Sequence, residues 1–166
     1  NQASISGFTL QNGQTDYGGG IRCSSTSPAI IDMIIRNNSA TNSGGGIYLS
    51  NSSSQIYSCT VNNNNASAGG GIYTSNPSDI NISNVDIIAN SATNKGGGLY
   101  STNYGNLILN RLLVVGNNTN LFGSGLHFES GNHNVINSTI VNNTGSNGGS
   151  RGVYHWTADT YFINTI

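Results

Sequence analysis

The sequence predicts an all-β chain folded as a right-handed, single-stranded parallel β-helix. It would have about six turns of 25–27 residues, two to three short strands per turn and no significant helix. Three observations carry that expectation. A glycine motif and an apolar position keep one common period, a polar column is locked to the same period, and apolar residues alternate with polar ones over short stretches.

The glycine motif reads GGGIR, GGGIY, GGGIY, GGGLY, GSGLH and RGVY. Its last glycines are Gly20, Gly46, Gly71, Gly98, Gly125 and Gly152, at intervals of 26, 25, 27, 27 and 27. The apolar series runs through Leu10, Ile35, Val61, Ile87, Val114, Ile140 and Ile166, at intervals of 25, 26, 26, 27, 26 and 26. Self-similarity at a fixed period of this size marks stacked repeats. Five places before each member stand Ile5, Ile30, Ile56, Ile82, Leu109, Val135 and Tyr161, and two places before stand Phe8, Met33, Cys59, Val85, Leu112, Ser138 and Asn164. Stretches such as Cys59-Thr60-Val61 alternate with period two between Gly, Asn and Ser clusters, which describes half-buried strands joined by tight bends. Repeated in register, such strands stack about 4.8 Å apart. One turn buries too few side chains to offset the entropy of ordering itself, so turns must share a core with their neighbours.

Three places after the apolar series stand Gly13 and then Asn38, Asn64, Asn90, Asn117 and Asn143. An Asn at a bend tolerates left-handed backbone angles, and its amide can donate to and accept from the same residue one turn away. These five are therefore expected to form a buried ladder. The Asn-x-Ser/Thr sequons starting at Asn37, Asn117 and Asn142 are read as ladder chemistry rather than glycan acceptors. The glycines mark a second bend that needs positive φ or close backbone approach. GGGIY introduces a strand with no GK[ST] after it, which argues against a phosphate loop.

Composition narrows the function. Charged residues make up 7% of the 166 and the formal net charge is −1, which removes an electrostatic case for nucleic acid or an anionic membrane surface. No apolar run is long enough for direct membrane insertion. Residues 1–166 read as one β-helix domain, expected to be a segment of a longer solenoid with end-to-end or capping contacts at its termini. Cys23 and Cys59 fall on different inward columns and are expected to be two buried free thiols. No His/Cys spacing points to a metal site, and no cofactor is expected.

The alternation of Ile35-Arg36-Asn37-Asn38-Ser39-Ala40 with Gly44-Gly45-Gly46-Ile47-Tyr48, and of Ile87-Ile88-Ala89-Asn90-Ser91-Ala92 with Gly96-Gly97-Gly98-Leu99-Tyr100, resembles the repeats of chlamydial polymorphic outer membrane proteins. This chain carries Gly where those repeats usually have Ala after the glycine pair. The resemblance implies a non-enzymatic adhesin or display segment, extracellular or on a bacterial outer surface, whose partner is a glycan or a host or cell-surface protein. The alternative is a scaffold or sugar-binding part of a polysaccharide lyase or hydrolase of the pectate-lyase-like superfamily, which shares this architecture.

Catalytic residues are not expected. Asp16, Asp32, Asp79, Asp86, Glu129 and Asp159 lie at different offsets within the repeat, and Arg36, Arg111 and Lys95 are scattered, so no base is expected to meet a carboxylate cluster. Gly131-Asn132-His133 only superficially resembles the GHG of polygalacturonases. The candidate ligand-binding residues are instead Tyr48, Tyr73, Tyr100, His127 and Tyr154, which with Arg22 follow the inward aliphatic of each glycine motif and should form an outward ladder of rings. Such a ladder can pair strands, or offer ring faces with hydroxyl tips to a sugar polymer or a protein.

Overall fold

The computed structural model describes residues 3–76, 79–146, 149 and 151–166. It is a solenoid of four sheets around one apolar interior, with every strand pair between coils parallel. Sheet I stacks Ser4–Ser6, Ala29–Ile31, Gln55–Tyr57, Ile80–Ser83, Asn106–Asn110, Asn132–Ile136 and Asp159–Ile163. Sheet II stacks Thr9–Gln11, Ile34–Arg36, Thr60–Asn62, Asp86–Ile88, Leu113–Val115 and Thr139–Val141. Sheet III stacks Gln14–Tyr17, Ser39–Ser43, Asn65–Ala68, Ser91–Lys95, Asn118–Thr119 and Thr144–Gly145, and sheet IV stacks Ile21–Ser24, Ile47–Ser50, Ile72–Ser75, Leu99–Thr102, Leu126–Phe128 and Val153–His155.

A full coil therefore contributes four strands, where the sequence leads one to expect two to three. Single residues make the difference. Asp32, Ser58, Asn84, Arg111, Asn137 and Asn164 turn the chain between sheets I and II at φ between 47° and 56°. Alternation resumes at once in Cys59-Thr60-Val61, so a one-residue corner leaves no mark on the apolar pattern.

The interior is built from the expected columns. Ile30, Ile56, Ile82, Leu109 and Val135 align across sheet I, and Ile35, Val61, Ile87 and Val114 across sheet II, all essentially without solvent contact. Cys23 and Cys59 are separate buried thiols. Asn38, Asn64, Asn90, Asn117 and Asn143 form the ladder. Each of the first four donates from Nδ2 to Oδ1 of the next coil's Asn at 2.9–3.1 Å, and that same oxygen takes the backbone N–H of the donor residue. The second Nδ2 hydrogen goes to a carbonyl of the preceding coil, such as Val61 for Asn90 at 2.9 Å.

Two features of the bends correct the expectation. Left-handed geometry belongs to the residue before each ladder member, Asn37, Asn63, Ala89, Gly116 and Asn142, so two successive residues share the tasks assigned to one. Of the three named sequons, only Asn117 starts on the ladder; Asn37 and Asn142 are exposed corner residues beside it. In the glycine motif, Gly44 and Gly96 take positive φ (68° and 61°), whereas at Gly97 a Cβ would stand 2.3 Å from the Asn118 carbonyl oxygen.

The last coil slips by one place. Phe162, not Tyr161, lies beside Val135. Asn164 takes the left-handed corner and donates to Asn137 Oδ1 at 3.1 Å, so Thr165 follows Ser138 in its column. Ile166 donates to the Ser138 carbonyl as Thr139 does to Leu112, and it is 84% exposed rather than inward. The apolar run Tyr161-Phe162-Ile163 offers three successive frames, and periodicity alone does not choose among them.

Candidate functional site

Strand alternation sends three columns outward along sheet IV. The ends of sheet III supply Tyr17, Ser43, Ala68 and Lys95, continued by Phe122. The middle column is Arg22, Tyr48, Tyr73, Tyr100, His127 and Tyr154. The third is Ser24, Ser50, Ser75 and Thr102, extended to Glu129 and Trp156 by the N–H bonds of Glu129 to Ser101 and of Trp156 to Phe128.

The predicted ring column exists, but its faces are turned on one another. Tyr48 and Tyr73 stack with centroids 5.1 Å apart and planes within 1°, Tyr73 meets Tyr100 edge-on at 5.4 Å, and Tyr100 meets His127 edge-on at 4.9 Å. A coil spacing of about 4.8 Å leaves no gap between such rings. Tyr100 and His127 are consequently buried, at 7% and 1% exposure, which corrects their reading as an exposed stripe; Tyr48, Tyr73 and Tyr154 are half-buried.

What stands clear of the sheet are two aromatics the period does not single out, Tyr104 at 88% and Trp156 at 71% exposure. Tyr104 is lifted by Asn103, a left-handed corner (φ 66°) whose Nδ2 donates to Ser75 Oγ at 3.1 Å. Its neighbour Gly105 packs so tightly on Gly131 (φ 102°) that a Cβ at 131 would lie 2.0 Å from the Gly105 oxygen. A cleft of about 490 Å³, lined by both Tyr104 and Trp156, opens over the last three coils. Tyr104, Phe122, Tyr154 and Trp156 line its sides, and Lys95, Thr102, His127 and Glu129 lie beneath.

The polar groups of the cleft are mutually bonded. Lys95 Nζ donates to Glu129 Oε1, and Thr102 Oγ1 donates to Glu129 Oε2 at 2.9 Å. The scattered offsets of Lys95 and Glu129 in the sequence thus conceal one ion pair, of a single base with a single carboxylate. Burial alone would raise the Glu129 carboxyl, but donors from Lys95, Tyr100 and Thr102 outweigh it and hold it below its ordinary value. Burial, then the adjacent carboxylate, pushes the Tyr100 hydroxyl up. His127 is lowered to about 4, first by burial and further by Lys95, although its Nδ1 lies 3.3 Å from the Phe122 carbonyl oxygen. Near neutral pH the His127 imidazole is uncharged beside the Lys95–Glu129 ion pair.

The other singled-out residues lie elsewhere. His133 points inward, stacked 4.5 Å from Phe128, with Nε2 3.0 Å from the Ser130 carbonyl. Asp16 accepts from Thr41 at 2.7 Å and Asp79 from Asn106 at 2.9 Å, both as links between coils. Glu129 is the one carboxylate among the described residues lining the cleft. One signal was available in the sequence. The third column runs Ser, Ser, Ser, Thr and then breaks to Glu129 and Trp156, just as Ser43 and Ala68 give way to Lys95 and Phe122.

Compared with known proteins, residues 1–166 match the family described as the right handed beta helix region. No curated protein and no solved structure matches. With four parallel sheets wound in register around one core and the family match running the whole length, the chain belongs to the right-handed β-helix family.

Proposed function

We propose that this chain is a non-catalytic binding solenoid, secreted or displayed at a bacterial surface, that holds a glycan in the cleft between Tyr104 and Trp156. The observation that carries this reading is the pairing of two protruding aromatic planes with a floor of bonded polar groups. An aromatic face accepts the C–H side of a sugar ring while hydroxyls, ammonium and carboxylate take its polar edge. Sugar hydrolysis by the usual route needs two carboxylates across the bond, and Glu129, the one carboxylate lining the cleft among the described residues, supports a binding role over a catalytic one. The repeat's likeness to polymorphic outer membrane proteins supports display outside the cell.

A glycan array followed by calorimetry on wild type, Trp156→Ala and Tyr104→Ala tests the site. Each variant should lose at least about tenfold in affinity, near 1.4 kcal/mol, at unchanged melting temperature. Equal binding by all three would remove the cleft from the account. Incubation with polygalacturonate and alginate tests the non-catalytic reading, which release of unsaturated or reducing ends would refute.

A further inference from the structure

We infer that the cleft selects neutral pyranose chains and discriminates against uronates, an inference that rests on the glycan reading above. Of the five Lys and Arg residues, Lys95 is the one that lines the cleft among the described residues, and it is already bonded to Glu129. Arg22, also on this face, sits on the first coil, over the rings of Tyr17 and Tyr48 at 5.5 and 5.9 Å. Arg36 is bonded to Gln11 on sheet II at 2.9 Å. A uronate brings a carboxylate on every ring. In the cleft that charge meets either Glu129 itself or a Lys95 whose charge Glu129 already offsets, so its desolvation is poorly repaid in both places.

The same pair suits a neutral sugar. After bonding each other, Lys95 retains two N–H donors and Glu129 retains free lone pairs, and the pair is 38% and 29% exposed, so both remain within reach. Vicinal hydroxyls each donate and accept, matching an ammonium beside a carboxylate, and charge-assisted bonds of this kind are the stronger ones. His127 adds no charge above a pH of about 4. Tyr104 and Trp156 contribute planes that are indifferent to ring charge.

The test titrates the full chain at pH 7 with manno-, cello- and galacto-hexaoses and with hexamers of galacturonate and mannuronate. At least one neutral hexaose should bind, with both uronates at least about tenfold weaker. Glu129→Gln frees Lys95 and should narrow or reverse that gap, while Lys95→Met should widen it; having two variants guards against misfolding of one. Equal or tighter uronate binding by the wild type overturns the inference and leaves the glycan reading standing. So does a preference that neither folded variant alters. Failure of every hexamer to bind at millimolar concentration instead overturns the glycan reading, and this selectivity with it.

Discussion

The asparagine column at the corner between sheets II and III and the ring column outside sheet IV share one period, yet from Asn38 to Asn143 the first is unchanged while the second varies. Inside, each Asn serves the coil above and the coil below, so a change at one rung removes hydrogen-bond partners from both neighbouring coils. Outside, the rings contribute contacts but no chain of amide bonds from coil to coil, so Tyr can give way to His127 and the flanking serines to Glu129 and Trp156. A repeat conserves what its stacking needs and is free to build a site on the face that stacking does not constrain.

The sharpest way to break this contrast is Asn90→Ala. It removes the acceptor of the Asn64 N–H and Nδ2 and the donor to Val61 and Asn117, all without solvent access. With each buried orphan worth about 1 to 3 kcal/mol, the loss should be about 3 to 5 kcal/mol in urea unfolding. A loss below about 1 kcal/mol would mean the ladder is ornamental.

Acid should expose the cost of the one histidine in the ring column. His127 titrates near 4 when folded against an ordinary 6.5, so the unfolded chain binds the proton more readily. Stability is then complete above about pH 6.5 and falls as pH drops toward 4, by on the order of 3 kcal/mol. Burial lowers His133 as well and adds to the same slope, and Glu129, held below its usual value, extends the loss as pH falls below 4.5. Thermal melts between pH 7.5 and 4 measure this, and His127→Phe should flatten part of the slope.

Tyr73→Ser removes one stacked and one edge contact and should cost about 1 to 2 kcal/mol, read as a lower melting temperature with ligand binding unchanged. The smallest stability effect belongs to Trp156→Ala, within about 0.5 kcal/mol for so exposed a side chain, even as affinity falls. If the order were reversed, with Tyr73 controlling binding and Trp156 controlling stability, the division between stacking column and cleft would be wrong.

Much of this is legible in the sequence. The inward aliphatics, the five ladder asparagines, the two free thiols and the parallel stacking follow from the period. The column of rings was legible as a column but not as a buried one, because period two says which side of a sheet a residue takes and not how closely the next coil covers it. Tyr104 and Trp156 have no aromatic counterpart one coil away, and a periodic reading discards what does not recur. Lys95 and Glu129 stand at different offsets within the repeat, 34 residues apart, so no shared column announces their pairing.

What the sequence determined by itself is whatever every coil must do alike: face aliphatics inward, close corners with Gly and Asn, and hand one amide to the next coil. Those constraints are local, and repetition makes them readable. The tertiary structure decided what depends on neighbours across coils and columns: four strands per coil, the slipped register of the last coil, the burial of Tyr100 and His127, and the cleft. Side chains about 4.8 Å apart along the stack compete for the same space, and the outcome depends on which residue lies above, a fact that linear order does not contain.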